Sequence, residues 1–234
     1  YYVGMCNYIQ DHYDLSNVVH VGHSAGVEPT YWLSMDIPMS EVWAGYKEFN
    51  RHMDSLTLKA VTNWNFYCRR AHRDAIADMP RRGRGLNKML EKCQKRHFSG
   101  ATKLVWPDDC WFPRLRKTYW GRYKSFESAV ACLMSSYTIP LITVPLSWPF
   151  QTVTSLHGHY RVTVDSWISH LSNDMHTYPY PDERVININP RLWENFPLSM
   201  SWLWTDEEHV ETMYRQGYTD AAAHPEFFKR SEEH

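Results

Sequence analysis

The architecture of this chain hinges on Val18-Val19-His20-Val21-Gly22-His23-Ser24-Ala25-Gly26-Val27. Its first half is short and largely β-branched, follows the turn residues at 14–17 and runs into glycine, as a buried strand does. Its second half is Gly-x-Ser-x-Gly leading into a candidate helix, which is the context of a nucleophile elbow. Gly22 and Gly26 predict a close approach of strand and helix across a tight turn from which Ser24 projects. The helix start, with Ala25 in it, would then aim amide donors at a developing oxyanion. Taken alone the motif reads equally well as a glycine-bounded turn carrying an ordinary serine.

Outward from this stretch, helical and strand patterns mix along the chain. Tyr2, Cys6, Ile9 and Tyr13 recur at helical spacing and predict a leading helix. Ser40 is placed to cap a helix whose Val42, Tyr46, Phe49 and Met53 share one face, and Phe126, Val130, Leu133 and Tyr137 repeat that pattern. Strands are expected at 103–106, 160–164 and 185–189, and a final helix over 206–216 turns Val210, Met213 and Tyr214 inward. Such alternation predicts an α/β sandwich with a largely parallel central sheet.

With 234 residues, 43% of them apolar, the chain can bury one sizeable core, so a single domain over residues 1–234 is expected. A formal net charge of −1 advertises no nucleic-acid partner, and none is expected. Five cysteines, odd in number, widely spaced and without a CxxC pair, disfavour a disulfide framework and a structural zinc site and point to a reducing compartment. His20 with His23 and His157 with His159 lack a third ligand at a recognisable spacing, so no metal is expected, nor any other cofactor. Residues 128–160 carry no charge, but Pro140, Pro145 and Pro149 interrupt them, which rules out a continuous spanning helix there. The opening at Tyr1 shows neither an initiator Met nor a signal-peptide pattern and leaves the targeting open. Charge is uneven: residues 69–96 hold ten Lys and Arg against three acids, and residues 206–234 hold eight acids against three Lys and Arg. The basic stretch suits anionic lipid headgroups, nucleic acid or an acidic face of a neighbouring subunit, and it reads equally well as a solvated helical face around a loop at 80–85.

A serine hydroxyl needs a base before it can attack. Asp165 follows the apolar strand Tyr160-Arg161-Val162-Thr163-Val164, where its side chain could emerge beside Ser24 at the carboxyl edge of a parallel sheet. His157, His159, His170, His176, His209 and His224 also lie downstream, so spacing leaves a Ser-His-Asp arrangement open.

Six segments in order resemble one family. Tyr1-Tyr2-Val3-Gly4, the elbow, and Met35-Asp36-Ile37-Pro38-Met39-Ser40-Glu41-Val42-Trp43 look like the opening of a patatin-like phospholipase domain, closest to the adipose triglyceride lipase branch. Ser135-Ser136-Tyr137-Thr138-Ile139-Pro140 resembles the family's small-residue segment, Val164-Asp165 resembles the start of its Asp-Gly-Gly motif, and Gln216-Gly217-Tyr218-Thr219-Asp220-Ala221 resembles its closing Gly-Tyr-Arg-Asp. The resemblance implies a three-layer α/β/α sandwich and a Ser-Asp dyad, with Ser24 attacking a lipid ester, Asp165 as base, and Gly22, Ala25 and Gly26 supporting the elbow and oxyanion. It also implies that the family's N-terminal strand and glycine-rich oxyanion loop would fall before Tyr1.

The chain departs from the family at Asp165-Ser166-Trp167, where an indole replaces a glycine, and at Glu28-Pro29 after the elbow. Two functions follow. One is a serine acyl-ester hydrolase of glycerolipids or phospholipids, working at a lipid or membrane surface. The other is a patatin-fold pseudoenzyme serving as an accessory subunit among the protein subunits of a larger, membrane-associated assembly. Eleven Trp and fifteen Tyr suit either a lipid interface, with residues 139–150 as a contact loop, or a subunit interface. The compartment stays open: both readings fit a place inside the cell, peripheral to a membrane or lipid droplet, and the assembly reading fits a mitochondrial one as well.

Overall fold

The computed structural model describes residues 1–54, 64–105, 114–136, 151–154, 160–164, 188 and 207–228. They form a mixed α/β arrangement, mostly helical, with a small mixed sheet. The order is α1 (Tyr2–His12), β1 (His20–His23), α2 (Val27–Ser34), α3 (Met39–Asp54), α4 (Trp64–Asp78), α5 (Leu86–Arg96), β2 (His97–Val105), β3 (Arg114–Trp120), α6 (Phe126–Ser136), β4 (Gln151–Thr154), β5 (Tyr160–Val164) and α7 (Glu207–Ala223).

Helix α1 has the expected period but buries more than one stripe. Val3, Met5, Cys6, Tyr8 and Ile9 are all buried, because α3 and α7 both pack against it. At the α1–α7 crossing a Cβ on Gly4 would stand 1.9 Å from the Tyr214 carbonyl oxygen, and one on Gly217 would stand 2.1 Å from that of Tyr1. Two backbones in van der Waals contact leave no room for side chains, so this crossing requires both glycines. The Tyr1 hydroxyl adds a 2.9 Å bond to Asp220. The opening and closing segments of the family resemblance therefore meet in one helix pair. After α1 the Asp14 carboxylate accepts the Ser16 N–H at 2.9 Å, an Asx turn that reverses the chain towards β1.

Strand β2 is the pivot of the sheet. It pairs with β1 in parallel from His97 to Gly100, with β3 antiparallel from Ser99 to Val105, and with β5 antiparallel at Thr102 and Lys103. β4 completes the sheet antiparallel to β5. The expectation of a largely parallel sheet is thus corrected: among the described strands, β1–β2 alone is parallel. Links 106–113 and 155–159 are shorter than the roughly dozen residues a parallel crossover needs, so the strands they join return antiparallel. β1 starts at His20 and not at Val18 because its ladder begins where β2 begins, at His20 opposite His97. The expected strand at 103–106 is the end of the longer β2, whereas the one at 185–189 lies, Ile188 excepted, outside the described residues.

Helix α2 packs on β1 and β2, α6 packs on β2, β4 and β5, and α4 packs on α6. Val27, Ile37, Met39, Leu133 and Met134 are at most 1% exposed in this core. Each such aliphatic side chain contributes about 1.5–3 kcal/mol relative to exposure. Ser40 lies inside the first turn of α3 and does not cap it. The Pro38 carbonyl accepts the Glu41 and Val42 N–H groups at 3.0 and 3.1 Å, and Gln10 Oε1 takes the Met39 N–H at 2.8 Å. Helix α7 runs on past the expected end at Gln216, and its Tyr214 stacks on Trp43 with ring centroids 4.4 Å apart.

The basic segment finds acids within the chain. Glu41 holds Arg82 at 2.6 Å and Arg84 at 2.7 Å, while Asp36 holds Lys92 at 2.5 Å and Arg96 at 2.7 Å. Arg70, Arg81 and Lys95 pair along their own segments with Asp74, Asp78 and Glu91.

Candidate active site

Ser24 sits where β1 ends. A 3-10 turn, Ser24–Gly26, carries the chain into α2, and Ser24 itself takes φ 48°. This left-handed backbone costs a non-glycine residue on the order of 1 kcal/mol or more, and it persists only where the surroundings over-determine it. The turn is thus a sharp strand-to-helix bend of the kind that pushes a nucleophile out of the chain. Ser24 is half-buried and Ala25 exposed.

Three contacts fix the bend. A Cβ on Gly22 would fall 2.3 Å from both the Val27 Cα and the Thr30 Oγ1, so the approach of β1 to α2 demands glycine there. The Thr30 hydroxyl reaches back to the Gly26 and Val27 carbonyls at 3.0 and 2.9 Å, clamping the start of α2. Ser136, the fully buried last residue of α6, accepts the Ser24 N–H at 3.0 Å and donates to the Gly100 carbonyl at 2.5 Å. At Gly26, by contrast, a Cβ would meet none of the described residues within 4 Å. Of the two motif glycines, Gly22 alone is demanded by packing.

The pairing register places a second strand end beside the elbow. β3 occupies one edge of β2 over the residues that pair with β1 and with β5, so β1 and β5 share the other edge. They run towards each other along it. His23 ends β1 opposite Gly100 and Val164 ends β5 opposite Thr102, a separation of two residues, or about 7 Å. Asp165 follows Val164 in sequence, and with Trp167 it lies outside the described residues.

The surroundings are aromatic and hold neutral histidines. His23 and Tyr119 meet edge to face over Gly100, with centroids 5.5 Å apart, and a Cβ on Gly100 would lie 2.2 Å from the imidazole. The His23 ring is therefore packed across the sheet. Beneath α2, His97 bonds Tyr123 Oη at 2.8 Å and approaches Thr30 Oγ1 at 3.4 Å. Burial holds His97 down at about 3, with the His20 charge acting the same way, and burial together with Arg96 holds His20 at about 4. Both imidazoles are neutral at neutral pH. Glu28, next to the elbow, is engaged by other helices: His72 Nε2 of α4 stands 3.2 Å from its carboxylate, and Tyr46 of α3 bonds it. Pro29 falls in the first turn of α2, where its missing N–H breaks no helical bond.

Of the histidines considered as bases, His209 rides on α7 and His224 follows it, on the flank packed against α1 and α3, and the others lie outside the described residues. Cys6, Cys68, Cys93 and Cys132 are buried thiols, and burial pushes Cys6, Cys93 and Cys132 up to about 12, which removes them as nucleophiles. Among the described residues no group of three or more His, Cys, Asp or Glu gathers to hold a metal ion. Nothing in the local pattern singles out Thr30, and Ser136 stands in the sequence only as part of a small-residue run. No family model matches this chain, and no curated protein or solved structure shows significant similarity to it.

Proposed function

We propose that this chain is a patatin-like serine acyl-ester hydrolase acting on glycerolipids or phospholipids, with Ser24 as nucleophile and Asp165 as base, built on a three-layer α/β/α sandwich. The observation that carries this reading is the left-handed Ser24 at φ 48° on a bend between β1 and α2. The same backbone occurs at Asp36, φ 57°, whose carboxylate holds Lys92 and Arg96, and at Arg122, φ 52°, so the conformation supports the reading through its place in a Gly-x-Ser-x-Gly bend from strand to helix. Further support comes from the strand ends, since the residues preceding Ser24 and Asp165 end two positions apart on one edge of β2.

In the proposed reaction Asp165 takes the Ser24 hydroxyl proton as Oγ attacks the ester carbonyl. The oxyanion draws on the amide of Ala25, the residue after the nucleophile. Collapse expels the alcohol with the proton from Asp165 and leaves an acyl-Ser24. Water, deprotonated by Asp165, then releases the fatty acid and restores the serine. The accessory-subunit reading draws on the departures at Trp167 and Glu28-Pro29, and for its contacts on an aromatic-rich surface and a basic segment. Much of that segment is paired internally, and Trp32 and Trp43 lie in the core, so the hydrolase is preferred.

The test is labelling by a fluorophosphonate and hydrolysis of a short-chain p-nitrophenyl ester and of phospholipid vesicles. Labelling at Ser24 that disappears in Ser24→Ala, with turnover lost in Asp165→Asn, is the expected result. Labelling elsewhere, or none, overturns the assignment. Trp167→Gly in the same assay reads whether the indole shields the nucleophile: a rise in turnover is expected for bulky acyl chains.

A further inference from the structure

Where β1 leaves the sheet, the ladder along that edge of β2 is interrupted until β5 joins at Thr102, and the Ser136 hydroxyl fills the break. It accepts the Ser24 N–H at 3.0 Å and donates to the Gly100 carbonyl at 2.5 Å, taking the place of the backbone groups that a continuing strand would have supplied. Its one proton goes to Gly100, so its lone pairs are what face Ser24, and the direction of the relay is fixed. The side chain is wholly buried and comes from the end of a different element, α6, so the anchor ties the bend to the body of the fold.

We infer that Ser136 is a positioning residue for Ser24: its hydroxyl pins the Ser24 amide in the left-handed turn and so sets the direction in which the Ser24 hydroxyl points. The inference rests on Ser24 being the nucleophile. Without the anchor, the strained φ loses one of its braces, the Gly22 approach and the Thr30 clamp remain, and the turn can relax towards ordinary backbone. A relaxed turn swings the nucleophile by about an ångström, which costs on the order of 100-fold in rate when the reacting geometry is lost.

Two independent readings on Ser136→Ala test this. Hydrogen exchange at the Ser24 amide is expected to accelerate about tenfold or more, while amides of α1 and α7 keep their wild-type rates. The fluorophosphonate labelling rate and kcat on the short-chain ester are expected to fall about 10- to 100-fold with KM little changed, because the substrate pocket is untouched. Ser136→Thr, which keeps the hydroxyl, is expected to recover a substantial part of both. Unchanged exchange at Ser24 overturns the anchor, and faster exchange with unchanged labelling overturns the positioning role. Absence of Ser24 labelling in the wild type removes the nucleophile and this inference with it, and the exchange data separate that failure from a failed anchor. If the alanine variant does not fold, Ser136→Cys is close in shape and forms only weak hydrogen bonds, so wild-type exchange and labelling in it would equally overturn the proposal.

Discussion

Four described residues enter the left-handed region, Ser24, Asp36, Gly83 and Arg122, and the turns at Gly83 and Ser24 do so in contrasting ways. Between α4 and α5 the chain uses Gly83, φ 74°, whose N–H bonds the Pro80 carbonyl at 3.0 Å while Arg84 N–H bonds that of Met79 at 3.1 Å. Between β1 and α2 it uses Ser24, φ 48°. The first turn ends a helical segment in the cheapest way, with glycine and a pair of closing bonds. The second keeps a side chain where glycine would be easier, and it is then held from three directions by Gly22, Thr30 and Ser136. The turn that only reverses the chain is unstrained and exposed, while the turn that presents a hydroxyl is strained and braced.

The sharpest way to break that contrast is to alter the bracing glycines. Gly22→Ala drives a Cβ to 2.3 Å from the Val27 Cα, which is backbone and cannot step aside, so a loss of about 3 kcal/mol or more is expected in urea unfolding. Gly26→Ala meets none of the described residues and keeps an ordinary helical backbone, φ −79°, so it is expected to stay within about 0.5 kcal/mol of wild type or gain slightly. Equal losses at the two positions would show that the elbow is not braced by the Gly22 approach.

That asymmetry was not legible in the sequence, where Gly22 and Gly26 look equivalent. The elbow itself was legible because its signals are local: a β-branched run, a glycine, a serine and a helix start all fall within ten neighbours. Helices α1, α3 and α6 were legible from apolar spacing, with ends that shifted once tertiary partners such as Gln10 at the start of α3 took over capping. The direction of the strands was misread, since alternation of element types suggests crossovers, and the short links 106–113 and 155–159 carry the contrary information. The partners of Glu28 and of the Ser24 amide come from distant elements, α4, α3 and α6, and nothing in the local pattern announces them.

Acid separates the two turns next. Under the elbow's helix, His20 and His97 have folded values of about 4 and 3, below the ordinary 6.5. Below pH 6.5 the unfolded chain therefore binds protons that the folded chain refuses, and stability is full above 6.5 and falls as the pH drops towards those values. For His20 the whole interval corresponds to about 3 kcal/mol. Near Gly83 the sensitive group is Glu41. Burial opposes its ionisation, but the bonds from Arg84 and Arg82 prevail and hold its carboxyl below the usual range, so its contribution is lost only at lower pH. Urea unfolding between pH 7 and 4 is expected to lose stability from the histidines first, and His20→Gln is expected to flatten the upper part of that curve. An unchanged slope in that variant would mean that His20 takes up its proton in the folded chain as readily as in the unfolded one.

The smallest effect is the most direct reading of the strain. Gly83→Ala places a Cβ in open space at φ 74°, so only the backbone conformation opposes it, and a loss of about 1 kcal/mol is expected. The reverse exchange at the elbow is expected to move the other way. Ser24→Gly and Ser24→Ala both remove the hydroxyl and keep the amide that Ser136 accepts, yet only glycine releases the left-handed strain. Glycine also gives the unfolded chain more freedom, which offsets part of the gain. The expected result is Ser24→Gly more stable than Ser24→Ala by about 0.5–1 kcal/mol, with neither variant labelled by a fluorophosphonate. If Ser24→Ala is instead the more stable of the two, the backbone at 24 is relaxed, and the difference between the two turns is one of sequence alone and not of stored strain.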